Sequence, residues 1–224
     1  MSPVVAVADP WVRWDWVRDH TGVVTSDLGQ HLRLTAVALL VGLAIALPLG
    51  VLAHRWRRAG TPILAVAGVV YTVPSLALFA LLVPRLGLST TTAEVGLVGY
   101  TLLILIRNIV TGLDGVPDDV LEAARGMGFT RGRMLWRIEL PLAVPAIVAG
   151  VRIATVTTIG LVTVTALIGQ GGLGQLMLDG LTRDFRTPLV VGAVLSVALA
   201  SLADVALLGA QGLVTPWSRS GRSA

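Results

Sequence analysis

The amino-acid sequence predicts an all-α polytopic membrane protein with about five transmembrane helices. The first observation is composition: 54% of the 224 residues are hydrophobic, 13% are charged and the mean hydropathy is +0.82. The second is a set of five long apolar segments, and the third is the placement of the arginines between them. The apolar share exceeds that of an average soluble domain, so lipid is expected to surround much of the chain.

Each of the five apolar segments reaches about the 20 residues that a helix needs to cross a bilayer. They cover residues 32–53, 62–84, 95–113, 142–168 and 188–214. We therefore divide the chain into an extracytoplasmic or interfacial N-terminal segment, a single transmembrane domain and a cytoplasmic tail. These cover residues 1–30, 31–216 and 217–224, and a polar connection at 115–141 separates the third and fourth spans.

The arginines predict an orientation, because short loops rich in arginine stay on the cytoplasmic side of a membrane. Nine of them lie on one side of five alternating spans: Arg55, Arg57, Arg58, Arg125, Arg131, Arg133, Arg137, Arg219 and Arg222. Six lie on the other side: Arg13, Arg18, Arg33, Arg85, Arg183 and Arg186. This bias places the N-terminus outside the cell, and the C-terminus and residues 115–141 in the cytoplasm.

Several kinds of chemistry are excluded by the residue types. The chain has no cysteine and no lysine, so it has neither a thiolate metal ligand nor the lysine of a Walker-type phosphate loop. Its three histidines, His20, His31 and His54, have no ligand spacing. We expect no catalytic residue, no metal and no cofactor on this chain, and no nucleic-acid partner.

Three tryptophans, Trp11, Trp14 and Trp16, lie close together before the first span. They favour an aromatic belt at the level of the lipid headgroups. The alternative is an aromatic cage for a quaternary ammonium ligand.

The polar connection is predicted to form a helical hairpin. Pro117, followed by two aspartates, favours a helix start, and Gly126 and Gly128 end that short helix. Thr130 can cap a second amphipathic helix, which Pro141 is expected to terminate. One interpretation is a helix pair on the lipid surface. Because small residues occupy positions where a lipid-surface helix would carry bulky anchors, the other interpretation is a surface that contacts another protein.

The spacing of this hairpin resembles the EAA loop of the membrane subunits of binding-protein-dependent ABC importers. The matching residues are Glu122, Ala123, Ala124, Gly128, Ile138, Leu140 and Pro141. The resemblance implies a fold like that of type I ABC importers, with a coupling helix that docks into a groove of a cytoplasmic ATPase. It also implies that Glu122, Ala123, Ala124 and Gly128 form the docking surface, and that Gly128 permits a close turn.

The resemblance extends from about residue 30 to most of the chain. The stretches at 71–84, 103–113, 149–156 and 167–181 are similar to permeases for the osmoprotectants glycine betaine, carnitine and choline. The implied partners are ATPase subunits that bind ATP and Mg, a second permease copy or a paralogous permease, an extracytoplasmic solute-binding protein and membrane lipid. The implied location is the bacterial cell membrane. The alternatives are an ABC importer for another small solute, such as an amino acid, and an ATP-independent secondary transporter.

Polar residues inside the spans are the remaining candidates for function. Arg107, Arg152 and Asp204 lie at depths of roughly 10, 15 and 15 Å from the cytoplasmic ends. Charges in a membrane face a partner or a water-filled cavity, so these residues, together with Asn108, either form an interhelical ion pair or line a translocation path. Pro74 is expected to kink or unwind the second span, as packing geometry or as part of that path.

A glycine-rich stretch follows the fourth span. Gly171, Gly172 and Gly174 precede the apolar residues 176–181 on the predicted outer side. This composition is compatible with a re-entrant outer gate, which the family resemblance favours, or with an outer loop that carries a short surface helix.

Overall fold

The structure is a computed structural model that describes residues 10–214, with side chains described as far as residue 212. The predicted tail at 217–224, including Arg219 and Arg222, lies outside the described residues, as do residues 1–9. The described part of the chain is helical. The α-helices are α1 Trp14–Asp19, α2 Thr21–Arg55, α3 Arg57–Thr72, α4 Ser75–Leu86, α5 Thr90–Asp114, α6 Asp118–Gly126, α7 Arg131–Met134, α8 Leu140–Val164, α9 Leu173–Thr182 and α10 Arg186–Val214.

The prediction of an all-α membrane protein with about five spans is confirmed. Among the described residues, α2, α5, the continuous run from α7 through α8 and α10 are long and apolar enough to cross a membrane. Helices α3 and α4 meet the same criteria when taken together as one span with a bend of 96°, which makes five.

The first span begins earlier than the hydropathy predicted. We expected it at residue 32, whereas α2 begins at Thr21 and continues for 35 residues. Residues 21–30, assigned to the N-terminal segment, are therefore helical and continuous with the span. The reason is that polar residues lower the hydropathy there without breaking the helix, and the stretch contains no proline.

Pro74 unwinds the second span, as predicted. Proline has no backbone N–H and disfavours the helical conformation of the residue before it. Val73 accordingly has the extended angles φ −64° and ψ 128°, and α4 starts immediately after Pro74. The predicted single segment 62–84 is thus two helices.

The prediction that Pro141 terminates the second hairpin helix is wrong. The chain stays helical from Arg131 to Ile168, passing through a π-helical turn at Leu135–Glu139 and into α8. In an α-helix the ring of Pro141 would meet the carbonyl of Arg137, four residues earlier. That carbonyl lies in the π-helical turn, whose hydrogen bonds reach one residue further, so the helix accommodates the proline.

The central helix of the bundle is α5, which packs against α2, α8, α3 and α4. Small residues permit the close crossings: a Cβ on Gly50 would lie 2.5 Å from the Ile109 side chain, and one on Gly112 would lie 3.0 Å from the Ala143 carbonyl. Two apolar clusters result. One, near the hairpin, includes Ala46, Leu105, Ile109, Leu113 and Ala143, and the other, towards the opposite end, includes Leu34, Ala38, Phe79, Leu97 and Val162.

Candidate functional site

A glycine in the left-handed region makes the turn of the hairpin, which we define as residues 115–141. Helix α6 ends at Gly126, and Gly128 has φ +78°. The amide of Phe129 donates to the carbonyl of Ala124 at 3.1 Å, the bond that closes a Schellman-type helix end. The hydroxyl of Thr130 then accepts from an amide of α7 at 3.4 Å. The two short helices and the glycine turn predicted from the sequence are therefore present.

The exposed surface of α6 includes part of the expected docking set. Glu122, Ala123 and Gly128 are exposed. Ala124 is fully buried, so its side chain is not available for docking; this corrects the expectation for that residue. Met127 is 69% exposed, and an apolar side chain exposed this far next to Ala123 is typical of a protein contact surface.

The second half of the hairpin adds another apolar side chain to this surface. Trp136, in the π-helical turn, is 68% exposed. The expected motif residues Ile138, Leu140 and Pro141 are half-buried. They lie where the hairpin continues into α8 and therefore connect any contact on the hairpin to a transmembrane helix.

A cluster of charged side chains attaches the hairpin to the ends of α2 and α5. His54 Nδ1 lies 2.5 Å from an Asp114 carboxylate oxygen, and His54 Nε2 lies 3.9 Å from Glu139. Arg55 lies 3.6 Å from Glu139, and its guanidinium also donates to the Arg131 carbonyl at 2.8 Å. Glu139 is only 4% exposed. We refer to His54, Arg55, Asp114 and Glu139 as the hairpin cluster.

The hairpin cluster could not be predicted from the sequence, because Asp114 and Glu139 lie 60 or more positions along the chain from the His54 side chain that they meet. The one local signal was position: His54 and Arg55 end α2, and Asp114 ends α5. Charges at the ends of neighbouring spans are common, so that signal did not predict which ones would meet.

Two of the intramembrane charges form an ion pair. The guanidinium of Arg152 donates to both carboxylate oxygens of Asp204, from Nε at 2.9 Å and from Nη2 at 3.0 Å. This fork-shaped geometry is the strong form of an arginine–carboxylate contact. The structure thus forms the interhelical ion pair, which joins α8 to α10.

Arg107 and Asn108, adjacent on α5, have different surroundings. Arg107 is exposed and makes no hydrogen bond or ion pair with any described residue. Asn108 donates to the Ile104 carbonyl at 2.8 Å, and a Cβ on Gly150 would lie 2.5 Å from the Asn108 Cβ. Asn108 therefore lies in the contact between α5 and α8, and Arg107 faces open space.

The break at Pro74 is held by an aromatic side chain of α5. The Tyr100 hydroxyl donates to the carbonyl of Val73, which the break leaves without a helical partner. The Tyr100 ring meets the Tyr71 ring edge-on, with centroids 5.9 Å apart. Pro74 itself is exposed.

The glycine-rich segment, residues 169–182, packs onto the bundle at the end opposite the hairpin. A Cβ on Gly174 would lie 2.4 Å from the Thr163 carbonyl oxygen, and one on Gly171 would lie 2.4 Å from the Ala166 Cα. Gly172 has φ +51°, and a Cβ there would lie 2.8 Å from the His31 backbone. All three candidate gate glycines are thus in close contact with the helices beside them.

Polar side chains bind the same segment to α2 and α5. The amide of Gly172 donates to the Gln30 side chain at 3.1 Å. The Gln170 side-chain oxygen accepts from Gln30 at 3.3 Å and from the Thr90 hydroxyl at 2.9 Å. These bonds join the glycine-rich segment to Gln30 of α2 and Thr90 of α5.

The tryptophans near the N-terminus do not form a cage in the described part of the chain. Trp11 is 71% exposed and Trp14 is 68% exposed. Trp16 stacks on His20 at 4.3 Å and meets Phe185 edge-on. The exposed rings of Trp11 and Trp14, and the packing of Trp16 on His20 and Phe185, favour the aromatic belt over the ligand cage.

These features define a helical membrane transport subunit: a bundle of spans, one of them broken, with an exposed hairpin between two spans. The chain belongs to the family described as the inner membrane component of binding-protein-dependent transport systems, whose model matches residues 23–211. The family confirms the resemblance drawn from the hairpin spacing, and its members are transport subunits of the inner membrane.

Curated relatives resemble the chain along most of its length. The osmoprotectant import permease protein OsmW of Salmonella typhimurium is 37% identical over 206 residues, which cover 90% of this chain and 96% of OsmW. The glycine betaine/carnitine/choline transport system permease protein OpuCB of Bacillus subtilis is 34% identical over 201 residues, which cover 90% of this chain and 93% of OpuCB.

Solved structures share the fold. An inward-facing structure of the methionine ABC transporter MetNI matches with a TM-score of 0.78 at 24% identity, covering 88% of this chain and 98% of the matched chain. A crystal structure of an amino acid ABC transporter with histidines matches with a TM-score of 0.70 at 18% identity, covering 89% of this chain and 98% of that one. These matches confirm the fold of a type I ABC importer permease.

Proposed function

We propose that this chain forms the translocation path for a compatible solute such as glycine betaine, choline or carnitine. The observation that carries the proposal is its similarity, at 37% and 34% identity over nine-tenths of the chain, to permeases of osmoprotectant importers. The substrate class follows from those relatives, because a shared scaffold alone does not determine a ligand.

The energy source in this proposal is a separate ATPase that binds ATP and Mg and docks on the exposed face of the hairpin. Glu122, Ala123 and Gly128 offer a small, open surface, and Met127 and Trp136 add two apolar side chains suited to a partner groove. The unbroken helix from Arg131 to Ile168 connects that surface to α8. Movement of the hairpin would therefore move a transmembrane helix without an intervening flexible loop.

The path itself would lie between this chain and a second copy or a paralogous permease. The hairpin and the C-terminus would face the cytoplasm, as the arginine distribution predicts, and the N-terminus would lie outside. An extracytoplasmic binding protein would deliver solute to the end closed by the glycine-rich segment, with Gly171, Gly172 and Gly174 as the proposed gate.

Amino-acid import is the second candidate. It is favoured by the two solved transporters of the same fold, which are described as methionine and amino acid transporters. Their identities of 24% and 18% are lower than those of the osmoprotectant permeases, which is why compatible-solute transport is proposed first.

Transport in proteoliposomes tests both candidates. The chain is co-reconstituted with a partner ATPase and an extracytoplasmic solute-binding protein, and uptake of radiolabelled glycine betaine, choline, carnitine, methionine and histidine is measured with and without internal ATP. We expect ATP-dependent uptake of at least one quaternary ammonium solute and none of the amino acids. ATP-dependent uptake of an amino acid alone would replace the first candidate with the second, and uptake by the chain without ATPase would contradict both.

A further inference from the structure

An aromatic side chain is presented at the break in the second span. Tyr71 lies in the last turn of α3, two residues before Val73, and is 39% exposed. Its hydroxyl has no hydrogen-bond partner among the described residues. The ring is oriented by Tyr100, which meets it edge-on at 67° and is itself only 5% exposed. Tyr100 thus orients the Tyr71 ring, and the exposed part of that ring is open to a ligand.

This ring lies near the middle of the membrane. Its neighbour Tyr100 is about 21 Å from the hairpin end of α5 and about 15 Å from the other end, at 1.5 Å per residue. A tyrosine hydroxyl facing hydrocarbon at this depth would lack the polar partner that it normally has. A water-filled path satisfies the hydroxyl, so we expect Tyr71 to face the path.

A cation lies on the same face of α5 as Tyr100. Arg107 follows Tyr100 by seven residues, two helical turns, which is about 10 Å along the helix. Thr111, one further turn along the same face of α5, is exposed as well. Side chains on a helix lean towards its N-terminus, so the Arg107 side chain leans towards the level of Tyr100 and Tyr71.

Arg107 differs in this respect from the other arginine that the sequence placed deep in a span. Arg152 is neutralised by both oxygens of Asp204, whereas Arg107 has no partner among the described residues. An unpaired guanidinium inside a membrane is costly, and such residues mark substrate paths. The open face therefore offers an aromatic ring and, towards the hairpin, a positive charge.

We propose that Tyr71 and Arg107 form an intramembrane substrate site for a zwitterion that carries both a quaternary ammonium and a carboxylate. The Tyr71 ring binds the quaternary ammonium through a cation–π contact, and the Arg107 guanidinium binds the carboxylate. This inference rests on the proposed transport of compatible solutes and adds a selectivity: a quaternary ammonium without a carboxylate, such as choline, gains the ring contact but meets an unpaired positive charge.

Binding to the complete permease–ATPase complex in lipid nanodiscs, without binding protein, tests the site. Radiolabelled glycine betaine and choline are titrated against the same preparations. For the native chain we expect tighter binding of glycine betaine than of choline. Arg107→Gln is expected to weaken glycine betaine binding about tenfold, the loss of one charge-assisted contact, and to leave choline binding unchanged or tighter. Tyr71→Leu is expected to weaken both ligands, by roughly five- to tenfold.

The controls separate the site from general effects on the protein. Tyr71→Phe keeps the ring and should bind both ligands within about twofold of the native chain. Arg85→Gln removes an exposed arginine from the other half of the broken span and should change neither affinity. Since the selectivity is a ratio of two affinities measured on one preparation, a lower yield of complex does not imitate the expected result.

Two results would overturn the site: native affinities in Tyr71→Leu, or an equal loss of both ligands in Arg107→Gln. If the native complex imports glycine betaine in proteoliposomes, and the Tyr71→Leu and Arg107→Gln variants bind both ligands with native affinity in nanodiscs, the site is wrong and the proposed function stands. If the native complex imports no quaternary ammonium solute at all, the proposed function fails, and the site fails with it.

Discussion

The two ends of the helical bundle are constructed differently. At the hairpin end the backbone is open: nothing lies within 4 Å of a Cβ placed on Gly126, Gly128 or Gly132, and the hairpin is attached through the charged hairpin cluster. At the other end the glycine-rich segment touches the backbone of its neighbours, with Gly172 and Gly174 in places where no side chain fits. Its hydrogen bonds to α2 and α5 are made through the neutral side chains of Gln30, Gln170 and Thr90.

Each end of the bundle is suited to a different kind of movement. A surface with free space and exposed apolar side chains can receive a partner without rearrangement, and its charged contacts can shift without emptying a packed core. A segment in backbone contact has few intermediate positions, because packed interfaces do not deform continuously. The glycine-rich segment is therefore suited to being either closed or displaced as a unit.

The largest effect is expected at the packed end. Gly174→Ala places a Cβ 2.4 Å from the Thr163 carbonyl oxygen, and overpacking of this kind lowers the free energy of unfolding by roughly 3 kcal/mol. We expect loss of most of the monodisperse peak in size-exclusion chromatography. The matched variant Gly160→Ala, with nothing within 4 Å, should behave like the native chain. Equal peaks for both variants would show that this end is not tightly packed.

The next effect is expected at the hairpin turn. Gly128→Ala forces an L-residue to adopt φ +78°, at a cost of roughly 1–2 kcal/mol, and so distorts the proposed docking surface. We expect about tenfold less ATPase to co-purify, with the membrane domain still monodisperse. Gly132→Ala, on the same hairpin in an ordinary helical conformation, is the control. Loss of the folded domain in Gly128→Ala would mean that the hairpin is as tightly packed as the opposite end.

A smaller effect is expected in the hairpin cluster. Glu139→Gln keeps the shape of the side chain and removes its ion pair with Arg55. We expect the ATPase to remain bound, and transport per ATP hydrolysed to fall roughly fivefold, on the order of 1 kcal/mol.

Asp119→Asn, an exposed change in the first turn of α6, is the control for the charge removed. If Glu139→Gln leaves the transport-to-hydrolysis ratio unchanged, the hairpin cluster only attaches the hairpin and does not transmit its movement.

The smallest effect is expected from a side chain at the packed end. Gln170→Ala removes the bonds to Gln30 and Thr90, at a cost of about 1 kcal/mol. Because the glycine contacts remain, we expect a folded protein in which residues 169–182 exchange amide hydrogens a few times faster by mass spectrometry. Thr25→Ala, which removes a hydroxyl bonded only within its own helix, is the control. If residues 169–182 exchange amide hydrogens equally fast in Gln170→Ala and in the control, backbone packing alone holds the glycine-rich segment in place.

Features that depend on neighbouring residues could be predicted from the sequence. The break at Pro74 follows from the missing N–H of proline, and the glycine turn at Gly128 follows from its place between two helical patterns. The early start of α2 and the passage of the helix through Pro141 could not be predicted in this way. In the first case hydropathy reports burial in lipid rather than helix length, and in the second a π-helical turn changes which carbonyl the ring approaches.

Features that depend on distant residues were predicted only as sets of candidates. Arg107, Arg152 and Asp204 were all identified as intramembrane charges, but depth alone allowed either arginine to pair with the aspartate. Because α8 crosses α10, Asp204 pairs with Arg152. Arg107, on α5, faces open space. Ala124 lies in the same motif as Glu122, yet Ala124 is fully buried and Glu122 is exposed.

The membrane class, the approximate number of spans and the hairpin with its family spacing could be predicted from local sequence patterns, because hydropathy and helical periodicity act over a few consecutive residues. The tertiary structure decided which charges pair, which glycines are in contact and which face of α5 is open. Those properties arise where separate helices meet, as Arg152 of α8 meets Asp204 of α10, and no local pattern contains the crossing of two helices.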